Sequence, residues 1–383
     1  MTIRDRCLAV TLERLPPLAE VEREWCDLES RSDRSFFVSW RWIGSWLGAL
    51  PLHVRPELLR VESQGRTVAL GVLVGRLVRR HGVLLSRALF LNSTGDPLLD
   101  ELTIEYNGLL SERGFEQEAT RSCVEFLLSR GDWDECFLDG LKSPELFDQV
   151  PLDGATWLVR RRSKCHYVDL DALRCSGDEY LSLLGSHTRY NVRRSMREYE
   201  KLGPLSLESA TSPQEASAFL AGLRELHQAY WQEKGLPGSF ASPFFNEFHA
   251  ELIRSRFAEG AIQLLRMRAG KAVLGYLYNF VDQGRVYNYQ SGYDYELCPK
   301  QHSRPGFVTH VYAVEFNRTA GHHIYDLMAG DSEYKQTLGL GSSDMVWLVA
   351  QRFRLRFELE AWLRKIRSKR RRSTSDMPKN ASE

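Results

Sequence analysis

Three groups of residues in this 383-residue sequence have the types and spacing to hold an anion or move a proton. The first is Ser303, Arg304, Pro305 and Gly306. Proline suits a first helical position because its missing N–H would be unpaired there anyway. A helix opening presents free N–H groups and the positive end of the dipole, so it favours a phosphate or pyrophosphate. Proline itself donates nothing, so the donors come from Gly306 and its neighbours, with Arg304 as a phosphate partner. The second group is a phenol, an ammonium and a carboxylate: Tyr334, Lys335 and Asp326. Lys335 is suited to an oxyanion or an acceptor phosphate, and Asp326 to the role of base or of a partner that orients Lys335. The third is Arg189, Arg193 and Arg197, four apart and therefore on one stripe of a helix. Cations this close repel one another unless an anion lies nearby. A phosphorylated acceptor, such as a lipid- or nucleotide-linked sugar, would supply it; Glu198 and Glu200 are the competing neutralisers.

A metal centre is not expected. His322 and His323 are adjacent, and adjacent side chains on a strand point to opposite faces. The seven cysteines are scattered singly, which argues against both a thiolate zinc site and a disulfide framework. The sequence also lacks a P-loop, a Gly-x-Ser-x-Gly elbow and a dinucleotide-binding fingerprint.

These residues need a scaffold, and periodicity predicts a mixed α+β one. Runs at 262–268, 272–280 and 286–291 alternate apolar and polar residues between the glycine-bearing turns at Gly270 and Gly284. That pattern is an antiparallel meander. Phe307, Val311 and Val314 then recur at helical spacing up to Gly321, and 323–328 and 345–350 read as buried strands. Earlier, 177–201 reads as helical with a break near Gly185, and Ser212-Pro213 and Ser242-Pro243 open two more helices. The first part repeats this order. Helices at 18–32 and 39–50 place Trp25, Trp42 and Trp46 on apolar faces, where core packing is expected. A hairpin turning at Gly65, a strand at 86–91, a helix at 117–129 and a strand at 135–141 follow.

The length suits two domains. With a formal net charge of +1, no global field steers the whole chain to nucleic acid or to an anionic membrane. The sequence shows no signal peptide and no apolar run near the ~20 residues that span a bilayer, so a cytoplasmic location is expected. The basic run 367–372 lies in a polar tail and offers a contact to an anionic membrane face.

The order of strands and helices from about 186 to 335 resembles the acyl-CoA-binding half of the GNAT acyltransferases, in particular their FemAB-like, BioF2-type branch. That branch includes proteins linked to cellulose and other exopolysaccharide synthesis. Arg189, Arg193, Arg194, Gly203, Gly292, Tyr293, Asp294, Pro305, Gly306, Gly321, Asp326, Gly330, Tyr334 and Lys335 carry the resemblance. It implies tandem GNAT-like domains, here at 1–160 and 161–350, followed by a basic tail at 351–383. It implies acetyl-CoA or another acyl-CoA as co-substrate, held by Ser303, Arg304 and Gly306. It also implies that Tyr334 protonates the leaving thiolate, a job suited to a phenol of pKa about 10. The expected acceptor is an amine or hydroxyl of a cell-envelope or exopolysaccharide precursor.

The two halves differ at the loop that should meet the donor. The first carries Asp96, Asp100, Glu101, Glu105 and Glu112, which would repel a pyrophosphate; the second carries Lys300, His302 and Arg304. The donor is therefore expected in the second half, with the first shaping the acceptor site. Two other functions compete: a FemX-type ligase that uses aminoacyl-tRNA, the one nucleic acid in view, and a non-catalytic scaffold in polysaccharide synthesis.

Overall fold

A computed structural model describes residues 8–80, 84–298, 304–330 and 332–360. Ser303, Lys300, His302 and the basic run 367–372 lie outside the described residues. Of the tail at 351–383, residues 355–360 are helical.

One order of elements occurs twice. The first pass comprises β1 (Leu8–Arg14), α1 (Leu18–Glu29), α2 (Trp40–Ala49), β2 (Pro56–Ser63), β3 (Arg66–Arg80) and β4 (Leu84–Leu91). After the short β5 (Leu110–Ser111) it ends with α3 (Glu116–Ser129), β6 (Glu135–Leu141), α4 (Glu145–Asp148) and β7 (Ala155–Asp169). Three helices follow: α5 (Leu170–Ser176), α6 (Tyr180–Leu183) and α7 (Ser186–Glu200). The second pass begins with β8 (Leu205–Ser209), α8 (Pro213–Glu233), α9 (Pro243–Arg256), β9 (Ile262–Ala269), β10 (Ala272–Asp282) and β11 (Arg285–Tyr293). It ends with α10 (Pro305–Thr319), β12 (Ile324–Ala329), α11 (Glu333–Leu338) and β13 (Gly341–Arg352). Local signals set these elements as expected. Ser212 and Ser242 accept hydrogen bonds from Glu215 N and Phe245 N at 3.1 and 3.2 Å, capping α8 and α9.

All the strands join a single thirteen-stranded mixed sheet among the described residues. Its order is β1-β2-β3-β4-β6-β13-β7-β12-β11-β10-β9-β8, with β5 paired to β3. The last strands of the two passes are exchanged. β13, from the second pass, lies between β6 and β7, and β7, from the first, lies between β13 and β12. The expected boundary between residues 160 and 161 falls inside β7, in the middle of this sheet.

The shared core continues across the junction. Phe36 stacks on Phe280 at 4.3 Å, and Trp42 meets Phe248 edge-on at 5.0 Å, so aromatic residues of both passes interlock. Trp25, Trp42 and Trp46 are buried there, as their spacing predicts.

Candidate active site

Each pass contains one place where the sheet opens. β11 and β12 pair in parallel only through Arg285↔Ile324, Val286↔Tyr325 and Tyr287↔Asp326, although β11 continues to Tyr293 and β12 to Ala329. β4 and β6 likewise pair only through Ala88↔Glu135, Leu89↔Cys136 and Phe90↔Phe137. Beyond those registers each strand pair leaves backbone groups for another occupant.

In the first half the occupant is the chain itself. Asn107 forms a parallel bridge to Leu141, and its N–H donates to Gly140 O at 2.9 Å. Its side-chain amide donates to Leu91 O and to Asp139 O, both at 3.0 Å, and so ties the ends of β4 and β6 together. Asn92 Nδ2 donates to Asn107 Oδ1 at 2.8 Å. The acidic loop expected to repel a donor is internally satisfied instead. Asp100 accepts from Thr94 N at 2.9 Å and from Gly95 N at 2.6 Å, and Asp96 pairs with Arg76 at 3.0 Å. Glu112 pairs with Arg66 and Arg31. The first cleft is closed by a plug of backbone and amide, and charge repulsion is not what closes it.

In the second half the opening is a cleft of about 600 Å³. Tyr230 and Trp231 of α8, Tyr289 and Tyr293 of β11, the first turn of α10, and Tyr334 and Lys335 line it. Gly292 brings α8 against β11, since a Cβ there would lie 2.5 Å from Leu223 O. At the start of α10, Val308 N already donates to Arg304 O at 3.2 Å. The N–H groups of Gly306 and Phe307 precede that first intrahelical bond and face the cleft lining. The Arg304 guanidinium lies over the Phe307 ring, 5.1 Å from its centroid. A pyrophosphate drawn to this helix start would meet both backbone donors and a guanidinium.

Tyr334 and Lys335 stand at the first turn of α11, whose N-cap is Ser332. Gly330, at φ +148°, leaves room for the lysine, whose Nζ would lie 3.2 Å from a Cβ at that position. Lys335 Nζ donates to Ala329 O at 2.7 Å. Burial pushes the ammonium below its ordinary pKa, opposed chiefly by the charge of Glu105. Burial also raises the Tyr334 phenol, which therefore keeps its proton.

Asp326 departs from expectation. Rather than lining the cleft, its fully buried carboxylate accepts from Arg285 Nη2 at 2.7 Å and from Tyr106 OH at 2.7 Å. Its other oxygen accepts from Met328 N at 2.7 Å. It braces the point where β11 and β12 part. The arginine stripe also lies elsewhere. Arg189, Arg193 and Arg197 are on α7, outside the cleft lining. Arg189 donates to Ser182 O at 2.6 Å, and Arg193 reaches Glu179 at 4.0 Å. No acceptor-binding role for them follows from the cleft.

The fold adds residues that spacing did not single out. Tyr293 OH and His310 Nε2 are 2.9 Å apart, and His310 Nδ1 and Tyr325 OH 3.0 Å. Burial lowers His310 to about 3, so the imidazole is neutral and links a cleft-lining phenol to a buried one. His310 also stacks on Tyr334, 5.7 Å between ring centroids. The sequence signal was present: His310 follows Phe307 by three on the apolar face of α10. Glu105 and Tyr106, beside the first-half plug, reach Ala329 and Asp326 of β12 in the second half, and no local pattern announces that.

The family comparison falls on this half. Residues 186–336 match the family model described as an acetyltransferase (GNAT) domain. The match runs from α7 into α11 and so contains the open cleft, the start of α10, Tyr334 and Lys335. Across both halves the fold is similar to the crystal structure of FemX, with a TM-score of 0.55 at 10% identity, covering 87% of this chain and 96% of that one. It is also similar to the C-terminal domain of a putative lysylphosphatidylglycerol synthetase from Agrobacterium fabrum. There the TM-score is 0.53 at 12% identity, covering 88% of this chain and 92% of that one. At such identities the likeness concerns the fold. No curated protein is significantly similar in sequence. The architecture is thus one order of elements in two passes, the second containing the match to the acetyltransferase (GNAT) domain and holding the open cleft. No described helix is long and apolar enough to cross a membrane.

Proposed function

We propose that this protein transfers an acyl group, acetyl in the simplest case, from a CoA thioester to an amine or hydroxyl of a cell-envelope or exopolysaccharide precursor. The observation that carries this reading is the open β11/β12 cleft with the start of α10 at its mouth and Tyr334 and Lys335 on its wall. The donor pyrophosphate sits at the N–H groups of Gly306 and Phe307 with Arg304 beside it. The thioester lies along the unpaired edge of β11. The acceptor nucleophile adds to the carbonyl carbon, and the Lys335 ammonium stabilises the oxyanion. Collapse breaks the C–S bond, a phenol gives its proton to the departing thiolate, and the proton shed by the attacking amine or hydroxyl restores the phenol. Tyr334 is placed for this step. Tyr293, on the same cleft wall and hydrogen-bonded with His310, is the alternative. The resemblance of the sequence to the FemAB-like branch supports the choice of acceptor class.

An aminoacyl donor is the second reading. It is favoured by the likeness to FemX and to the lysylphosphatidylglycerol synthetase domain over nearly the whole chain, and by a helix start with few glycines.

Calorimetric titration with acetyl-CoA separates the two readings. Binding by the wild-type protein is expected, and Arg304→Glu should weaken it at least tenfold, since one charge-assisted contact is worth about 1.5–3 kcal/mol. Asp96→Lys, in the plugged half, should leave it unchanged. A wild-type protein that does not bind acetyl-CoA would overturn the thioester reading. Equal affinity in Arg304→Glu would remove the assigned donor site.

A further inference from the structure

Glu105 belongs to the first half, yet it meets the second at the residue that also holds Lys335. Its Oε2 accepts from Ala329 N at 2.9 Å, while Lys335 Nζ donates to Ala329 O at 2.7 Å. A carboxylate and an ammonium thus take the two polar groups of one residue, at the end of β12 where it leaves the cleft floor. Glu105 is nearly sealed, at 8% exposure, whereas Lys335 lines the cleft. Next to Glu105, Tyr106 has φ +53° and donates to Asp326, and the following Asn107 plugs the first cleft. The loop that closes one cleft therefore delivers a carboxylate to the residue that holds a lysine of the other.

We propose that Glu105 is a positioning residue for acyl transfer, contributed by the closed half to the open one, which keeps Lys335 charged and fixed toward the cleft. The proposal rests on the acyltransfer reading above for the use made of that ammonium. It gives the first half a part in the chemistry, because without its carboxylate a lysine this buried would hold its proton less firmly.

The groups around the pair are few. Asp326 and Cys165 face Lys335 from β12 and β7 and add to the pull of Glu105. Arg161, on β7 with its guanidinium over the Trp347 ring at 4.5 Å, acts against the lysine's charge. Around Glu105, Lys335, Ala329 N–H and Arg161 favour the carboxylate while burial and Asp326 oppose it, leaving it at about 7.

The test is the titration of Lys335 itself, read by NMR after reductive ¹³C-dimethylation of the full chain, with the signal assigned by its absence in Lys335→Arg. In Glu105→Gln, which keeps an oxygen for Ala329 N–H, the Lys335 midpoint should fall by about one to three pH units, the effect of losing an opposite charge at close range. Glu105→Asp should restore most of that fall. An unmoved Lys335 midpoint in Glu105→Gln overturns the proposal. Should Glu105→Gln not fold, the reciprocal measurement serves. In Lys335→Gln the ¹³Cδ titration of Glu105 should move up, and an unmoved curve again overturns the proposal. Neither readout needs turnover. Acetyl-CoA titration of the same samples reports separately on the acyltransfer reading.

Discussion

At the scale of single residues, burial decides protonation. His249 lies fully buried among Phe245, Phe248 and Tyr278, and burial lowers it to about 3, as it does His310. Both histidines are neutral in the fold and take up a proton in the unfolded chain below its ordinary value near 6.5. Their folded pKa values are depressed, so the stability they allow is present above pH 6.5 and is lost as pH falls toward 3. Each contributes a slope of about 1.4 kcal/mol per pH unit in that window. Glu105 has the opposite sign. Its folded pKa is raised, so stability is lost as pH rises from about 4.5 through 7. Urea unfolding between pH 4.5 and 6.5 should show stability falling with acid in the wild type. His249→Phe should flatten that dependence by about 1.4 kcal/mol per pH unit. An identical slope in the variant would show that His249 is not held neutral.

At the scale of elements, one structural opening has two fates. Three parallel register pairs and then a parting occur at β4/β6 and again at β11/β12. The difference is Asn107, whose amide joins Leu91 O and Asp139 O across the first opening. Asn107→Ala removes those donors and leaves both carbonyls and the Asn92 amide short of partners. Buried groups left unpaired cost about 1–3 kcal/mol each, so the variant should lose about 3 kcal/mol or more in denaturant unfolding. A variant as stable as the wild type would mean that the plug is held by the surrounding chain alone. Among the described residues no asparagine ties the two strand ends of the second opening together; its wall is largely aromatic, with Arg304 and Lys335 among its lining residues.

At the scale of the whole molecule, the exchanged strands make each half incomplete alone. β7 runs beside β13 from Gly341↔Tyr167 to Arg352↔Ala155, and its other edge pairs with β12. Cutting the chain between residues 169 and 170 would strip β7 of both neighbours, and would strip β13 of β6 and β7. Apolar edges exposed in this way invite aggregation. Fragments 1–169 and 170–383 should each be insoluble when expressed singly, and should form one soluble 1:1 complex when expressed together, as read by size-exclusion chromatography. Two fragments that are each soluble and folded would show that the exchange is not needed for stability. The same exchange carries Glu105 and Tyr106 of one half to β12 of the other, so the cleft is a property of the pair of halves.

The sequence by itself determined what depends on near neighbours. Alternation set β9 to β11, Ser-Pro pairs set the starts of α8 and α9, and Pro305 set the start of α10, because caps and periodicity act within a few residues. The placement of Gly306, Arg304, Tyr334 and Lys335 around one cleft was legible for the same reason: each sits at an end of a locally specified element. Tertiary structure decided the partners. Asp326 belongs to Arg285 and Tyr106, Glu105 to Ala329 and Lys335, and the arginine stripe of α7 to the outer surface. Tyr106 and Asp326 lie 220 positions apart in the chain, and Glu105 and Ala329 lie 224. No spacing rule links residues so distant. An acidic loop reads as a repulsive surface until the fold turns its carboxylates inward, and there desolvation and a single facing lysine determine what one of them does.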